Sequence, residues 1–158
     1  MAIVRGVPDG FHTLSPYLIC KDATRAIEFY KRAFGATELS RTTGPGGTLM
    51  NAQLRIGNSI FMLMEENLEW KARSPQSLNG SPVSIHLYVA DADKVFGQAV
   101  AAGASVKMPM DDMFWGDRYG SISDPFGHSW DIATRITDLT EAEAKLASDE
   151  FFSKMQHA

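Results

Sequence analysis

Hydrophobic and polar positions follow the same order twice along this chain. In the first copy, residues 13–20 alternate as a strand, with its apolar positions on one face. Apolar residues then recur at helical spacing between Asp22, a suitable N-cap, and Gly35, a suitable helix end. Three short strands are predicted next, at residues 37–43, 49–56 and 58–65. The first copy therefore predicts a βαβββ module over residues 13–66.

The second copy repeats this order. Residues 83–89 alternate strictly between aliphatic and polar or aromatic side chains. A helix-spaced apolar run begins at Asp91 and closes at Gly103. The strands that follow are predicted at residues 105–110, 118–123 and 129–134. The second module therefore spans residues 83–135.

Two segments lie outside the repeat. Residues 67–82 are rich in polar residues and turn formers and predict a linker between the modules. Near the end of the chain, Thr140 and Glu143 form a capping box, which predicts a helix over residues 140–156. We expect this helix to pack against the body of the protein or against a second subunit.

The repeat predicts an α+β fold in which two tandem modules surround one cup. The aliphatic face of each first strand matches the apolar stripe of its helix, so it should pack on that helix. The opposite face is polar and aromatic, which suits a pocket better than a core. It carries Ser15, Tyr17, Ser84, His86, Tyr88 and Asp131.

Composition and charge narrow the possible partners. The chain has 158 residues and a net charge of −4, so it lacks the excess of positive charge that attracts nucleic acid. Its only cysteine, Cys20, and its eight methionines fit a reducing compartment. No apolar run has the length of a signal peptide or a membrane span. We therefore expect a cytoplasmic protein that contacts neither nucleic acid nor a membrane.

The paired modules resemble the vicinal oxygen chelate superfamily, the group of glyoxalases, bleomycin resistance proteins and extradiol dioxygenases. Three stretches of sequence resemble its PhnB-like branch more closely. They are residues 10–36, Met113-Phe-Trp-Gly-Asp-Arg-Tyr-Gly120 and Asp124-Pro-Phe-Gly-His-Ser-Trp130. The resemblance covers nearly the whole chain and implies curled mixed sheets and a homodimer. Whether one chain or two complete the cup stays open.

Catalytic members of that superfamily hold a divalent metal in the cup. The resemblance places the four ligand positions on Ser15, Met62, Ser84 and Asp131. Only Asp131 has a carboxylate, and two hydroxyls with a thioether do not complete a site for Zn²⁺, Mg²⁺ or Mn²⁺. His86 shares a face with Asp131, but two ligands still need a third. We therefore expect no metal and no other cofactor.

Several residues remain as candidates for contact with a ligand. His86 is either a general base, with Asp131 as its partner carboxylate, or a cavity histidine that fills space. Tyr17 and Tyr88 occupy similar places in the two modules, where they could flank a flat ligand or fill the cup. Trp115 and Arg118 are in a loop expected to reach over the cup. Arg118 either binds an anionic group or pairs with Asp117 or Asp124.

Three functions are compatible with these residues. The first is metal-independent binding of a small aromatic or cationic molecule through Ser15, Tyr17, Met62, Ser84, His86, Tyr88, Trp115, Arg118 and Asp131. The second is acid–base catalysis by His86 and Asp131, in a lyase, an isomerase or a dioxygenase-like enzyme. The third is an interaction module whose cup is a subunit interface. The sequence favours binding, because the cavity face keeps aromatic and polar groups while the expected metal ligands are replaced.

Overall fold

A computed structural model describes Val4 and residues 6–158 and shows two four-stranded mixed sheets. The first sheet, with strand order β1-β4-β3-β2, is formed by β1 (Tyr17–Cys20), β2 (Thr37–Thr43), β3 (Leu49–Ile56) and β4 (Ser59–Glu65). Helix α1 (Ala23–Phe34) follows β1. In this sheet β1 runs parallel to β4, whereas the β2–β3 and β3–β4 pairs are antiparallel.

The second sheet repeats this arrangement with strand order β5-β8-β7-β6. Its strands are β5 (Ser84–Tyr88), β6 (Ser105–Asp112), β7 (Asp117–Ser123) and β8 (Ser129–Arg135). Three helices lie outside it: α2 (Pro75–Leu78), α3 (Ala92–Ala102) and α4 (Glu141–Gln156). The predicted α+β fold with two tandem modules and a C-terminal helix is confirmed.

Three differences from the predicted elements are larger than one residue at an element end. β1 begins at Tyr17 rather than residue 13, because Pro16 has no N–H to pair, although its carbonyl still accepts from the Met62 N–H at 2.9 Å. β6 continues to Asp112, which shortens the predicted loop before β7. The linker contains helix α2, whose N-cap Ser74 accepts a hydrogen bond from the Ser77 N–H.

One hydrophobic core serves both modules. The ring centroid of Trp130 in β8 lies 4.6 Å from that of Phe34 in α1 and 6.0 Å from that of Phe61 in β4. Helices α1 and α3 also pack against each other. The helix-side faces of both sheets therefore meet in this core, and their opposite faces point outward.

Within one chain, this packing keeps the equivalent positions of the two modules apart. Ser15 and Met62 lie on the first-sheet side, and Ser84 and Asp131 lie on the second sheet. Packing of α1 against α3 holds the two modules with their polar faces apart. A single chain therefore presents two open faces rather than one closed cup.

A buried carboxylate joins the modules at the edge of the core. Asp124 Oδ2 accepts hydrogen bonds from the Tyr30 hydroxyl at 2.6 Å and the Trp130 indole at 2.9 Å. Its other oxygen accepts from the backbone N–H groups of Phe126 and His128, each at 2.9 Å. Because Tyr30 belongs to α1 and Trp130 to β8, this carboxylate fixes one module against the other.

Helix α4 rests on the surface. It has the predicted capping box, in which the Glu143 N–H donates to Thr140 and the Glu143 carboxylate accepts from the Thr140 N–H. None of its residues is buried, and Phe151 packs against Phe114 with ring centroids 4.9 Å apart. Across the part of the chain that the structure describes, no helix combines the length and apolar character needed to cross a membrane.

Candidate ligand-binding site

The outer face of the second sheet brings polar and aromatic residues into two adjacent rows. In one row, the strand register places His86, Asp131 and Ser121 side by side. In the next row, the same register places Tyr88 and Tyr119 on either side of Ala133. The rows lie on one face because side chains two residues apart on a strand point the same way.

His86 and Asp131 are close but not hydrogen-bonded. His86 Nδ1 lies 3.7 Å from Asp131 Oδ2. The imidazole centroid is 4.5 Å from that of Tyr88 and 6.0 Å from that of Tyr119. Burial, together with a hydrogen bond to Asp131, raises the pKa of Tyr119 to about 12, so its phenol remains protonated at neutral pH.

A single buried carboxylate, Asp117, fixes two aromatic rings at the end of this face where β7 begins. We call this end the rim of the second-sheet face. Asp117 Oδ2 accepts from the Tyr88 hydroxyl at 3.0 Å and from the Trp115 indole N–H at 3.1 Å. Arg135 Nε lies 2.9 Å from Asp117 Oδ1 in an ion pair, with its N–H not aligned for a hydrogen bond. Arg135 also donates to the Trp115 carbonyl at 3.1 Å.

The polar ends of these rings are therefore satisfied, while their ring surfaces remain accessible. Asp117 is 1% exposed, whereas Tyr88 is 57% and Trp115 36% exposed. We define the second-sheet cluster as His86, Tyr88, Trp115, Tyr119 and Asp131. Rings that are held at one end and remain partly exposed suit contact with a flat apolar or cationic group.

The first-sheet candidates lie elsewhere. Ser15 and Met62 line a hollow of about 630 Å³ beneath the N-terminal segment, together with Gln53. The Tyr17 hydroxyl accepts a hydrogen bond from Asn51 Nδ2 at 3.2 Å. The structure therefore does not bring Ser15, Tyr17 or Met62 to the second-sheet cluster.

Two candidates from the second module also fall outside the cluster. Ser84 pairs with Ser129, one row below His86 and at the edge of the same face. Arg118 lies on the opposite face of β7, where Nη2 is 2.9 Å from Asp93 Oδ1 in α3 and Nη1 is 3.3 Å from Asp112 Oδ1. Alternation along β7 separates Arg118 from Asp117 and Tyr119, so the expected Arg118 pair forms with different acids.

Sequence reasoning missed Tyr119, Ser121 and Arg135 as members or neighbours of the site. It considered Asp117 only as a partner of Arg118. The period-two pattern of β7 could have identified Tyr119, because it shares parity with Ser121. The role of Arg135 depends on the exact pairing of β7 with β8, which composition does not reveal.

Comparison with known proteins assigns the family. The profile of the Glyoxalase/Bleomycin resistance protein/Dioxygenase superfamily matches residues 11–132. This match covers more than half of the chain, so the chain belongs to that superfamily. The resemblance to the superfamily is confirmed.

The chain is also similar to individual proteins and solved structures. The uncharacterized protein Rv0887c of Mycobacterium tuberculosis (strain H37Rv) is 44% identical over 140 residues, which cover 85% of this chain and 82% of that protein. The crystal structure of TioX from Micromonospora sp. ML1 is 27% identical, with a TM-score of 0.63 over 79% of this chain and 99% of TioX. The PhnB protein from Bacillus cereus shares the fold at 19% identity, with a TM-score of 0.59 over 78% of this chain and 99% of PhnB.

Proposed function

We propose that this protein binds a small, flat organic molecule at the second-sheet cluster and uses no catalytic metal. The observation that carries the proposal is the shared hydrogen bonding of Tyr88 and Trp115 to Asp117. Because the buried carboxylate already orders both rings, a ligand that stacks on them loses little binding energy to ordering them. The adjacent His86 and Asp131 supply polar groups that can orient such a ligand.

The donor set supports the metal-free part of the proposal. Of the positions Ser15, Met62, Ser84 and Asp131, only the last has a carboxylate, and Met62 lies on the other sheet with Ser15 near it. Within Val4 and residues 6–158, no three His, Cys, Asp or Glu side chains come together as a metal-binding group. These four positions therefore do not fit a catalytic divalent metal.

We further propose that a second copy of the chain closes the site. The outer faces of both sheets are open, and Tyr17 and Tyr88 are 46% and 57% exposed on them. Strands β1 and β5 each lie at one end of their sheets. A homodimer in which the first sheet of one copy covers the second sheet of the other would bury both faces. We also propose that the protein is cytoplasmic. The single cysteine, Cys20, is a buried free thiol, which fits a reducing compartment.

Thermal-shift screening with planar aromatic acids, amines and antibiotics tests the binding proposal. We expect at least one compound to raise the melting temperature of the wild-type protein. Tyr88→Ala and Trp115→Ala should abolish that increase. Trp70→Ala, which removes an exposed ring from the linker, is the matched control and should keep it. Stabilisation by no compound, or an equal effect in all variants, would contradict the proposal.

Two measurements on the purified protein test the other parts. Elemental analysis should find less than a stoichiometric amount of any divalent metal. Light scattering after size exclusion should give twice the mass of one chain. A bound stoichiometric metal contradicts the metal-free proposal, and a monomer contradicts the shared site.

Acid–base catalysis is a second candidate function, favoured by the 3.7 Å approach of His86 Nδ1 to Asp131 Oδ2. A carboxylate near an imidazole can orient the ring and stabilise its protonated form. If this candidate is correct, a compound found in the screen should be converted to product. His86→Ala should abolish that conversion while leaving binding measurable. Unchanged turnover in His86→Ala removes this candidate.

A further inference from the structure

The second-sheet cluster contains a carboxylate without a strong cationic partner. In the part of the chain that the structure describes, His86 is the only basic side chain within ion-pair distance of Asp131. Asp131 is only partly exposed, with 19% of its side chain accessible. A carboxylate at such a site keeps more of its electrostatic influence than one in open water.

In the described residues, neither of the nearby cations Lys107 and Arg135 forms an ion pair with Asp131. Lys107 Nζ keeps its positive charge and donates to the neutral Ser129 Oγ at 2.9 Å, one row below Asp131. Arg135 forms its ion pair with Asp117 at the rim of this face. A further acid, Asp111, is directly opposite Tyr119 in the register of β6 and β7 and adds negative charge beside the cluster.

The aromatic rings favour the same sign of charge. Tyr88, Trp115 and Tyr119 have electron-rich faces that attract a cation, most strongly where water is partly excluded. Tyr119 is a neutral phenol at neutral pH, and burial and then Asp131 raise its pKa further, to about 12. The aromatic rings and the Asp131 carboxylate lie on one face. Together they suit a flat molecule that carries a cationic group.

We propose that the second-sheet cluster selects flat organic molecules that carry a positive charge, such as an aromatic amidine or amine. This inference rests on the proposed function and specifies the charge of its ligand. Asp131 pairs with the cationic group, while Tyr88 and Trp115 contact the flat part of the molecule. Recognition of an anion by this face is disfavoured because Asp131 and Asp111 would repel it.

Three small molecules of nearly equal shape test the charge preference. Benzamidine is a cation at neutral pH, benzamide is neutral and benzoate is an anion. Titration of the full chain, followed through the indole N–H signal of Trp115 by NMR, gives an affinity for each. Molecules of this size are expected to bind with roughly millimolar dissociation constants. Benzamidine should bind about tenfold more tightly than benzamide, and benzoate should bind most weakly.

Substitution of one acid separates charge from shape. Asp131→Asn keeps the size of the side chain and should bring the affinities for benzamidine and benzamide to within about twofold of each other. Glu69→Gln removes an exposed charge in the linker and should leave the tenfold preference intact. Added salt should weaken the binding of benzamidine and leave that of benzamide unchanged.

The outcomes distinguish this inference from the proposed function. Equal or tighter binding of benzamide or benzoate overturns the charge preference while leaving a ligand site in place. An unchanged preference in Asp131→Asn also overturns it. Absence of benzamidine binding at millimolar concentrations overturns the inference, whereas the proposed function fails only if the whole screening panel gives no binding at this face.

Discussion

His86 and Asp131 occupy directly opposite positions on the parallel strands β5 and β8, with His86 Nδ1 3.7 Å from Asp131 Oδ2. The two side chains share a face because the register of the strands fixes them there. Their separation exceeds a hydrogen bond, so neither group is fully satisfied by the other. This pair is therefore the polar centre of the second-sheet cluster and remains able to contact a ligand.

Asp124→Ala should destabilise the fold more than any change at the surface. The substitution removes a buried carboxylate that accepts four hydrogen bonds from Tyr30, Phe126, His128 and Trp130. We expect a loss of about 3–5 kcal/mol in the free energy of unfolding, measured with urea. Tyr30→Phe removes one of these donors and should cost about 1.5–3 kcal/mol.

The surface ion pair of Lys145 and Asp149 provides a control for this comparison. Both side chains are mostly exposed in α4. Asp149→Asn should change the free energy of unfolding by less than about 0.5 kcal/mol. A loss in Asp124→Ala no larger than that in Asp149→Asn would show that the buried carboxylate does not join the modules.

Phe151→Ala should loosen the rim of the second-sheet cluster. Phe151 packs on Phe114, whose ring centroid lies 5.1 Å from that of Trp115. Removal of the Phe151 ring leaves Phe114 without this support, so the indole N–H signal of Trp115 should shift or broaden in NMR spectra. Met155→Ala alters the same helix at an exposed residue and should leave the signal unchanged. The same spectrum in both variants would argue against a link between α4 and the rim.

Stability should fall in acid partly because of Glu66. Hydrogen bonds from the Ser77 hydroxyl and then the Ser74 N–H lower the pKa of Glu66 from 4.5 to about 2. Because the folded pKa is depressed, this stabilisation is present above about pH 4.5 and is lost as the pH falls toward 2.

Glu66→Gln should therefore lose stability at neutral pH and show a weaker decline between pH 4.5 and 2 than the wild type. Urea unfolding at a series of pH values measures this slope. Glu150→Gln changes an exposed acid of α4 and should retain the wild-type slope. If Glu66→Gln and the wild type showed the same dependence of stability on pH, Glu66 would not be a cause of the loss of stability in acid.

Two glycines should respond to alanine in opposite directions. Gly97 is in α3, and a Cβ there meets no atom within 4 Å, so Gly97→Ala should stabilise the protein by about 0.5–1 kcal/mol. A Cβ at Gly120 would lie 2.7 Å from Met110 Sδ and 3.1 Å from the Met108 carbonyl oxygen. Gly120→Ala should therefore cost about 1–3 kcal/mol. Thermal unfolding of the two variants measures both effects, and equal shifts would contradict the packing around β7.

The sequence predicted the repeated modules because each strand and helix has its own periodic pattern. Alternation in residues 83–89 and the run between Asp22 and Gly35 reflect local burial, which the structure reproduces as β5 and α1. The beginning of β1 was placed too early, at residue 13, although Pro16 itself is typical of an edge strand or of the beginning of a strand.

Prediction of the site was less complete because it depends on packing between distant segments. His86 and Asp131 were identified together, since alternation alone puts each on the outer face of its strand. The separation of Ser15 and Met62 from them depends on how α1 packs against α3. Asp117 accepts hydrogen bonds from Tyr88 and Trp115 and forms an ion pair with Arg135. These contacts join three segments of the chain, and no local sequence pattern encodes them.

The account is tested most directly by locating the residues that a bound ligand perturbs. We would titrate the compound that gives the largest thermal shift into isotope-labelled protein and follow the amide and indole signals by NMR. The predicted result is saturable shifts at His86, Tyr88, Trp115 and Asp131 on the second sheet. Shifts confined to the hollow formed by Ser15, Gln53 and Met62, or no saturable shifts at all, would contradict the account.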